Sequence, residues 1–408
     1  MEPLSLLNKN RVDEVTSKSI DSGEVLNKGK KESIWNKEIN FSDIFKGKKN
    51  KTRVEAVEKL QSVRLVSVDI GTSYTKIVEG KANKNGKLQI FNMYKVPTKE
   101  NAIKDGVLEE TDVLSMYLQG ALKEGKIKTK NLAFVSSSST IISRELTLPY
   151  VDNEEEFSNL VKYEIQQYLF INLNNYDVQY MKIADVVEEG IEKQKVLAVI
   201  YPKEMIDKYR ELGEKTLLNP YALDITNNCV RKIASGAKFF NSDLINGEAI
   251  NMYLDMGANT INISIINNGK LDFIRVLPMG GNEINELIMA LENISNEEAE
   301  RIKVKSLDME KNEESKLSNG VIRIVDDWID NVNRIIQFYA SKTSGKNIEH
   351  IYLYGGSSKI KGIAEYFQSR IGIATTNILT VDNLEFADNT KVATVEEYIN
   401  ALGALIRL

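Results

Sequence analysis

Two short stretches put the same chemistry at the end of an apolar run. "VDIGTSYTK" (68–76) and "LDMGANTIN" (254–262) each close a hydrophobic segment with aspartate and place a glycine two residues later. Small polar residues follow in both. Glycine lets a backbone come close to a ligand, so the amides of Gly71, Thr72 and Ser73 could hold phosphate oxygens. The amides of Gly257, Ala258, Asn259 and Thr260 could do the same. The carboxylates of Asp69 and Asp255 could hold a hydrated magnesium ion, which takes one or two carboxylates together with phosphates and water. A lone Asp-x-Gly turn is also an ordinary tight turn. Two of them at matching places in a repeat point to two halves closing on one phosphate chain. Lys76 falls on the strand after the first turn and reads as pointing to solvent.

The repeat is visible over 65–97 and 251–278. Each copy runs from a strand ending in Asp-apolar-Gly into a second alternating strand, then turns at Asn-Gly-Lys-Leu (85–88 and 268–271). Asn-Gly is a strong hairpin signal, because both turn residues take positive φ. A third strand then leads to Pro97 or Pro278. The chain therefore reads as two related α/β halves, residues 63–146 with 219–249 and residues 250–408, with the C-terminal helix returning to the first half.

Other chemistry is sparse. "YLYGGSSK" (352–359) is a strand ending in Gly355-Gly356 ahead of a helix, with Ser357 and Lys359 beyond. Such a turn lets a flat base and ribose pack on backbone, or serves a close strand-helix contact. Glu300 and Lys303 stand three apart on one helical face, where they could bond ribose hydroxyls or form a plain surface ion pair. Ser295 and Glu298, just before them, have the spacing of a capping box. The only cysteine is Cys229 and the only histidine is His350, so a disulfide framework, a cysteine zinc site and a multi-histidine site are excluded within one chain. His350 reads as a polar residue before a strand.

The 408 residues are 42% apolar and 27% charged, with a net charge of -5. That is globular composition without the basic excess of a nucleic-acid binder. No leader and no membrane-spanning run is expected, which places the protein in the cytoplasm. Residues 1–62 carry +3 against -8 for the rest and lack apolar periodicity, so they read as a disordered arm. Within it "SIWNKEINFSDIFKG" (33–47) is either a docking segment or a stretch lying on its own domain. Residues 147–218 read as a small inserted α/β subdomain, opened by the acidic-capped helix "NEEEFSNLVKYEIQQYLF" (153–170). The polar stretch 311–320 reads as a loop before a long helix, and "TVEEYINALGALIRL" (394–408) as a closing helix.

No GxxxxGK[ST] stretch is present, so this is not a P-loop protein. The order of two Asp-Gly turns, a Glu-x-x-Lys helix and a strand with Gly-Gly resembles the actin-like ATPase superfamily. Within it the chain is most similar to the PilM family of type IV pilus assembly proteins. That similarity rests on residues 104–118, 144–180, 274–288 and 297–305, and covers roughly 63–408. It implies an actin-like fold of two ribonuclease-H-like halves around an ATP cleft. Residues 66–76 and 252–262 match the two phosphate loops, "YGGSSKIKGI" the adenosine motif, and "ALGAL" (401–405) the second connecting helix. Gly280 and Gly281 in the third stretch are counted with the nucleotide-binding residues. Three departures stand out: the long arm, "YLFIN" without the family's proline, and Ala258-Asn259 in place of a threonine-rich loop.

The resemblance implies an ATP- and Mg2+-binding scaffold at the cytoplasmic face of the membrane. Its partners would be the N-terminal cytoplasmic peptide of a PilN-like bitopic protein, held beside the inserted subdomain, and other inner-membrane pilus components. An FtsA-like filament protein is the alternative, but no basic amphipathic tail follows Leu408. A sugar-kinase-like phosphotransferase needs a general base, and a chaperone needs a further domain. Glu164 is a water-orienting candidate only if its helix faces the cleft, and is otherwise a surface carboxylate. Slow or absent hydrolysis is expected.

Overall fold

The structure, a computed structural model, describes residues 63–83, 87–311, 315–343, 345–387 and 394–407. The arm, its segment 33–47 and the turn Asn85-Gly86 lie outside these residues. Strands β1 (Leu65–Ile70), β2 (Tyr74–Ala82) and β3 (Leu88–Pro97) form two antiparallel pairs. The short pair β4 (Ile103–Lys104) and β5 (Val107–Leu108) leads into helix α1 (Thr111–Glu124). Strand β6 (Asn131–Ser136) returns parallel to β1. Every residue of β1 is buried, as expected for a central strand covered on both faces.

Next come β7 (Ile142–Pro149), α2 (Glu154–Tyr168), β8 (Tyr176–Glu188) and β9 (Ile191–Pro202). They make a separate three-stranded sheet in the order β7-β9-β8. It has its own core of Leu146, Phe157, Val161, Ile165, Val196 and Ile200. The Asn153 side chain accepts from the amides of Glu155 and Glu156 and caps α2, whose first turn is acidic. Helix α3 (Lys203–Lys215), expected to close this subdomain, packs instead on α1, β5 and β10 (Asn219–Ile225). Its Tyr209 and Leu212 belong to the first half's core. The inserted sheet thus runs from Ile142 to Pro202, not over 147–218.

Helix α4 (Thr226–Gly236) and the short pair β11 (Phe239–Phe240) and β12 (Asp243–Leu244) lead to the second half. There β13 (Ile250–Met256), β14 (Ile261–Asn267) and β15 (Lys270–Leu277) repeat the β1–β3 pattern. Asn268 and Gly269 turn the hairpin with φ of 50° and 71°, as Asn-Gly demands. Helices α5 (Gly281–Glu292), α6 (Asn296–Lys305) and α7 (Lys316–Lys342) follow. Ser295 and Glu298 form the full capping box. Helix α7 begins inside the stretch read as a loop, because the Ser315 side chain caps it.

Then come β16 (His350–Tyr354), a 3-10 turn over Gly356–Lys359, α8 (Ile363–Ile371), β17 (Ala374–Asn377), β18 (Leu384–Phe386) and α9 (Ile399–Ala404). His350 opens β16 and stacks on Tyr352. The sheets are ordered β10-β6-β1-β2-β3-β18 and β15-β14-β13-β16-β17. Apart from β18 these are the same arrangement, as the repeat of β1–β3 in β13–β15 implies.

The chain's end belongs to the first half. Strand β18 extends the first sheet beyond β3, although its residues read as second-half sequence. The closing helix is only Ile399–Ala404, and it lies on α4, β1 and β6. Gly403 sits so close to α4 that a Cβ would collide with the Cys229 backbone. Gly403→Ala is expected to cost about 1–3 kcal/mol of stability, the usual range for overpacking. Chemical denaturation reads this directly. Below α9, the Lys232 ammonium lies 2.6 Å from Asp224 Oδ2 and donates to the Ile406 carbonyl at 2.7 Å. Arg407 approaches the same carboxylate at 3.3 Å. Among the described residues no helix is long and apolar enough to cross a membrane.

Candidate functional site

The repeat places the two aspartates face to face. Asp69 ends β1 and Asp255 ends β13, and both line a cavity of about 130 Å³ between the halves. Antiparallel register puts Lys76 opposite Asp69, and its Nζ lies 3.5 Å from Asp69 Oδ2. Lys76 therefore points into the cleft, not to solvent as its position suggested. Burial opposes its charge, but Asp69, Asp255 and Glu397 outweigh that and raise its pKa. Asp255 accepts from Asn400 Nδ2 at 2.8 Å. Burial, with Asp69 adding to it, still pushes the Asp255 carboxyl up to about 6.

The turns themselves use the glycine amides. Gly71 N–H donates to the Tyr74 carbonyl at 3.2 Å, and Gly257 N–H to that of Thr260 at 2.9 Å. Any phosphate contact therefore falls to the amides that follow. Thr72, Ser73, Ala258, Asn259 and Thr260 all line the cavity. Gly280 and Gly281 do not; they back the second turn. Gly281 N–H donates to the Gly257 carbonyl at 3.0 Å, and a Cβ on Gly280 would lie 2.6 Å from the Ala258 carbonyl oxygen. Gly355 has φ +92°, and a Cβ there would lie 2.6 Å from Asp255 Oδ1. Only glycine serves at that contact.

An adjoining cavity of about 280 Å³ shares Tyr74, Glu300, Gly356 and Glu397 with the first and adds Lys359. Glu300 and Lys303 are 2.6 Å apart, and Lys303 is buried with its Nζ donating to the Gly281 carbonyl. The pair is part of the cleft wall, not a surface pair. Glu397 was not singled out in the sequence. It takes Lys95 at 2.5 Å from the first half and Lys359 at 3.0 Å from the second. Burial works against its charge, but Lys95 and Lys359 hold its pKa below the usual value. Lys95 also lies over the Tyr74 ring at 4.2 Å. Two further bonds cross the cleft, from Ser137 Oγ to Asn262 Oδ1 at 2.6 Å and from Asn259 Nδ2 to Thr72 Oγ1 at 3.5 Å.

Glu164 is elsewhere. It lines a groove of about 1,130 Å³ between the inserted sheet and the second half. Helix α2 faces its own sheet's core, which carries Glu164 away from the phosphate turns. The groove runs between β7 and β15, each an edge strand of its sheet among the described residues. Arg144, Arg275, Arg334 and Lys342 line it, with Ile335 and Phe338 between them. Ser137 lines both groove and cleft.

The Asp255 environment gives a pH prediction. Its folded pKa of about 6 lies above the usual 3.8, so the folded state holds the proton more tightly than the unfolded chain. In metal-free buffer stability falls as pH rises from about 4 to about 6, by about 2–3 kcal/mol at 1.36 kcal/mol per unit. Asp255→Asn should remove that decline and raise the melting temperature at pH 7.5 in chelator. Melting curves across pH check it.

Comparison with known proteins adds to this geometry. The model of the type IV pilus assembly protein PilM family matches residues 67–406. A solved PilM-PilN type IV pilus biogenesis complex is similar with a TM-score of 0.68 at 19% identity, over 85% of this chain and 98% of that one. Ethanolamine utilization protein EutJ of Carboxydothermus hydrogenoformans follows at 0.50 and 14%, over 88% and 100%. Cell division protein FtsA of Bacillus subtilis is 25% identical over 259 residues, 58% of this chain and 57% of FtsA. The chain thus spans little more than half the length of that relative.

Proposed function

The chain belongs to the PilM family of type IV pilus assembly proteins, and on that premise we propose that it is an ATP-binding scaffold. It would sit at the cytoplasmic face of the membrane and hold the N-terminal cytoplasmic segment of a PilN-like bitopic protein, alongside other inner-membrane components. One observation carries this reading: the cleft that holds both aspartates and a long groove share a wall at Ser137.

In the cleft, Asp69 and Asp255 would hold magnesium through water. The donor set fits, with two carboxylates and no third carboxylate, imidazole or thiolate grouped with them among the described residues. The ion would supply charge neutralisation for the phosphates. Lys76 and the amides of Thr72, Ser73, Ala258 and Asn259 would grip phosphate oxygens. Glu300 and Lys303 would face ribose and base. The residue that α4 presents to the cleft is Thr226, not a carboxylate.

In the groove, the free edges of β7 and β15 offer backbone groups to an extended segment, a recurring mode of peptide capture. Among the described residues none of Arg144, Arg275 and Arg334 forms an ion pair, so their charges are available to a segment with acidic side chains. Titration of a synthetic N-terminal peptide of a PilN-like protein tests this. Arg275→Glu should weaken it about tenfold, the cost of turning an attractive charge into a repulsive one. Unchanged affinity in the variant would place the partner elsewhere.

A further inference from the structure

Near its end the chain crosses from the second half to the first, and one carboxylate stands at the crossing. Just before it, Val395 N–H donates to the Leu379 carbonyl at 3.2 Å, and the Glu396 carbonyl accepts from Gly355 N–H at 2.9 Å. These bonds tie residues 395 and 396 to the second half. Just after it, α9 lies on α4, β1 and β6 of the first half. Glu397 is between. Its Oε1 takes Lys95 of β3 at 2.5 Å, and its Oε2 takes Lys359 of the 3-10 turn after β16 at 3.0 Å. Each oxygen thus serves a different half.

The register of the first sheet explains why a carboxylate is needed there. Lys95 stands directly opposite Lys76 on β2. Like charges in such a cross-strand pair repel. Each lysine has its own counter-charge, Asp69 for Lys76 and Glu397 for Lys95. Without Glu397, Lys95 would add to the charge of Lys76 while Lys359 faced it from the second half. The Glu397 side chain is 10% exposed, against 28% for Lys95 and 29% for Lys359. Its two bonds join ionised groups, so they are stronger than the neutral Ser137–Asn262 and Asn259–Thr72 bonds that also cross the cleft. Glu397 also lines both the cleft and the cavity that adjoins it, so it stands at their seam. An ion pair within one half would leave the relation of the halves untouched. This one holds both.

We propose that Glu397 is a lock on the cleft. While its two oxygens hold Lys95 and Lys359 the halves stay closed, and loss of either bond lets them part. Glu397 is then a positioning residue that acts through two lysines. The lock works in the chain without ligand, so it goes beyond the nucleotide reading and does not depend on it.

Hydrogen–deuterium exchange of the full chain without nucleotide tests this. Glu397→Gln should raise exchange about tenfold in 71–74, 257–260 and 355–357, the cleft segments, and leave β9 of the inserted sheet unchanged. Tenfold is the shift that about 1.4 kcal/mol produces. Lys95→Met should do the same, because it leaves the carboxylate held by one half only. Lys95→Met combined with Glu397→Gln should open the cleft no further than either alone, since both break one lock. Cleft segments that exchange like wild type in both single variants would overturn the proposal. So would a rise spread evenly over the cleft and β9, which would make the cluster a plain stabilising ion pair, or a double variant with additive effects. A parallel Mg-ATP titration separates this inference from the functional reading. Faster cleft exchange without ATP binding keeps the lock and removes the nucleotide reading. ATP binding with unchanged cleft exchange does the reverse.

Discussion

Asp69→Ala is expected to weaken Mg-ATP binding by about 100-fold or more. The side chain ends β1 at the cleft, where it faces Lys76 and, across the halves, Asp255. Its loss removes one of two carboxylates that would hold the hydrated ion. It also strips the nearest counter-charge from a buried ammonium. Truncating one member of such a pair costs about 2–5 kcal/mol, and each 1.4 kcal/mol is tenfold in affinity. Asp69→Asn keeps the shape and should lose nearly as much, which separates charge from packing. Calorimetric titration of each variant with Mg-ATP reads the effect, and unchanged melting curves would show that the fold is intact.

The second large effect is on stability. Asp224→Ala should cost about 3–5 kcal/mol, the range for breaking a buried ion pair from one side. Asp224 receives Lys232 at 2.6 Å and Arg407 at 3.3 Å, all three buried, and the half-buried Asn228 amide at 2.9 Å. Burial opposes its charge, but the two cations outweigh that and hold its pKa below the usual value. Without the carboxylate both cations are stranded, and the chain end that packs α9 on the first half is released. A urea midpoint shifted strongly downward with a similar slope is the expected result. A double variant, Asp224→Ala with Lys232→Met, should recover part of the loss. If the single variant melts like wild type, the cluster is not what holds the chain end.

Much of this frame was legible in the residues. Asp-x-Gly followed by Asn-Gly-Lys-Leu, twice, is enough to foresee two sheets of matching order, because both signals act locally. Gly257 and Gly355 were legible as turn glycines; that the Gly257 amide closes its own turn and that Gly355 makes room for Asp255 were not. Glu300 and Lys303 were visible as a pair, but their burial depends on α5 and the Gly281 carbonyl, which spacing does not report.

What escaped depends on long-range register. Lys76 enters the cleft only because β2 pairs with β1 in one particular alignment. Glu397 meets Lys95 from 302 residues away. Strand β18 is three residues long and has no periodicity to read. For Glu164 the sequence left two readings open, because a good amphipathic helix shows that it has a buried face without showing against what. Helix α2 packs on the inserted sheet, so its carboxylate faces the groove.

The most direct test of the account is one calorimetric experiment on the full chain, first with Mg-ATP and then with the N-terminal peptide of a PilN-like protein. The account predicts two saturable one-to-one isotherms, with the first lost in Asp69→Ala and the second kept. Binding of neither ligand, or Mg-ATP binding that Asp69→Ala leaves unchanged, would contradict it.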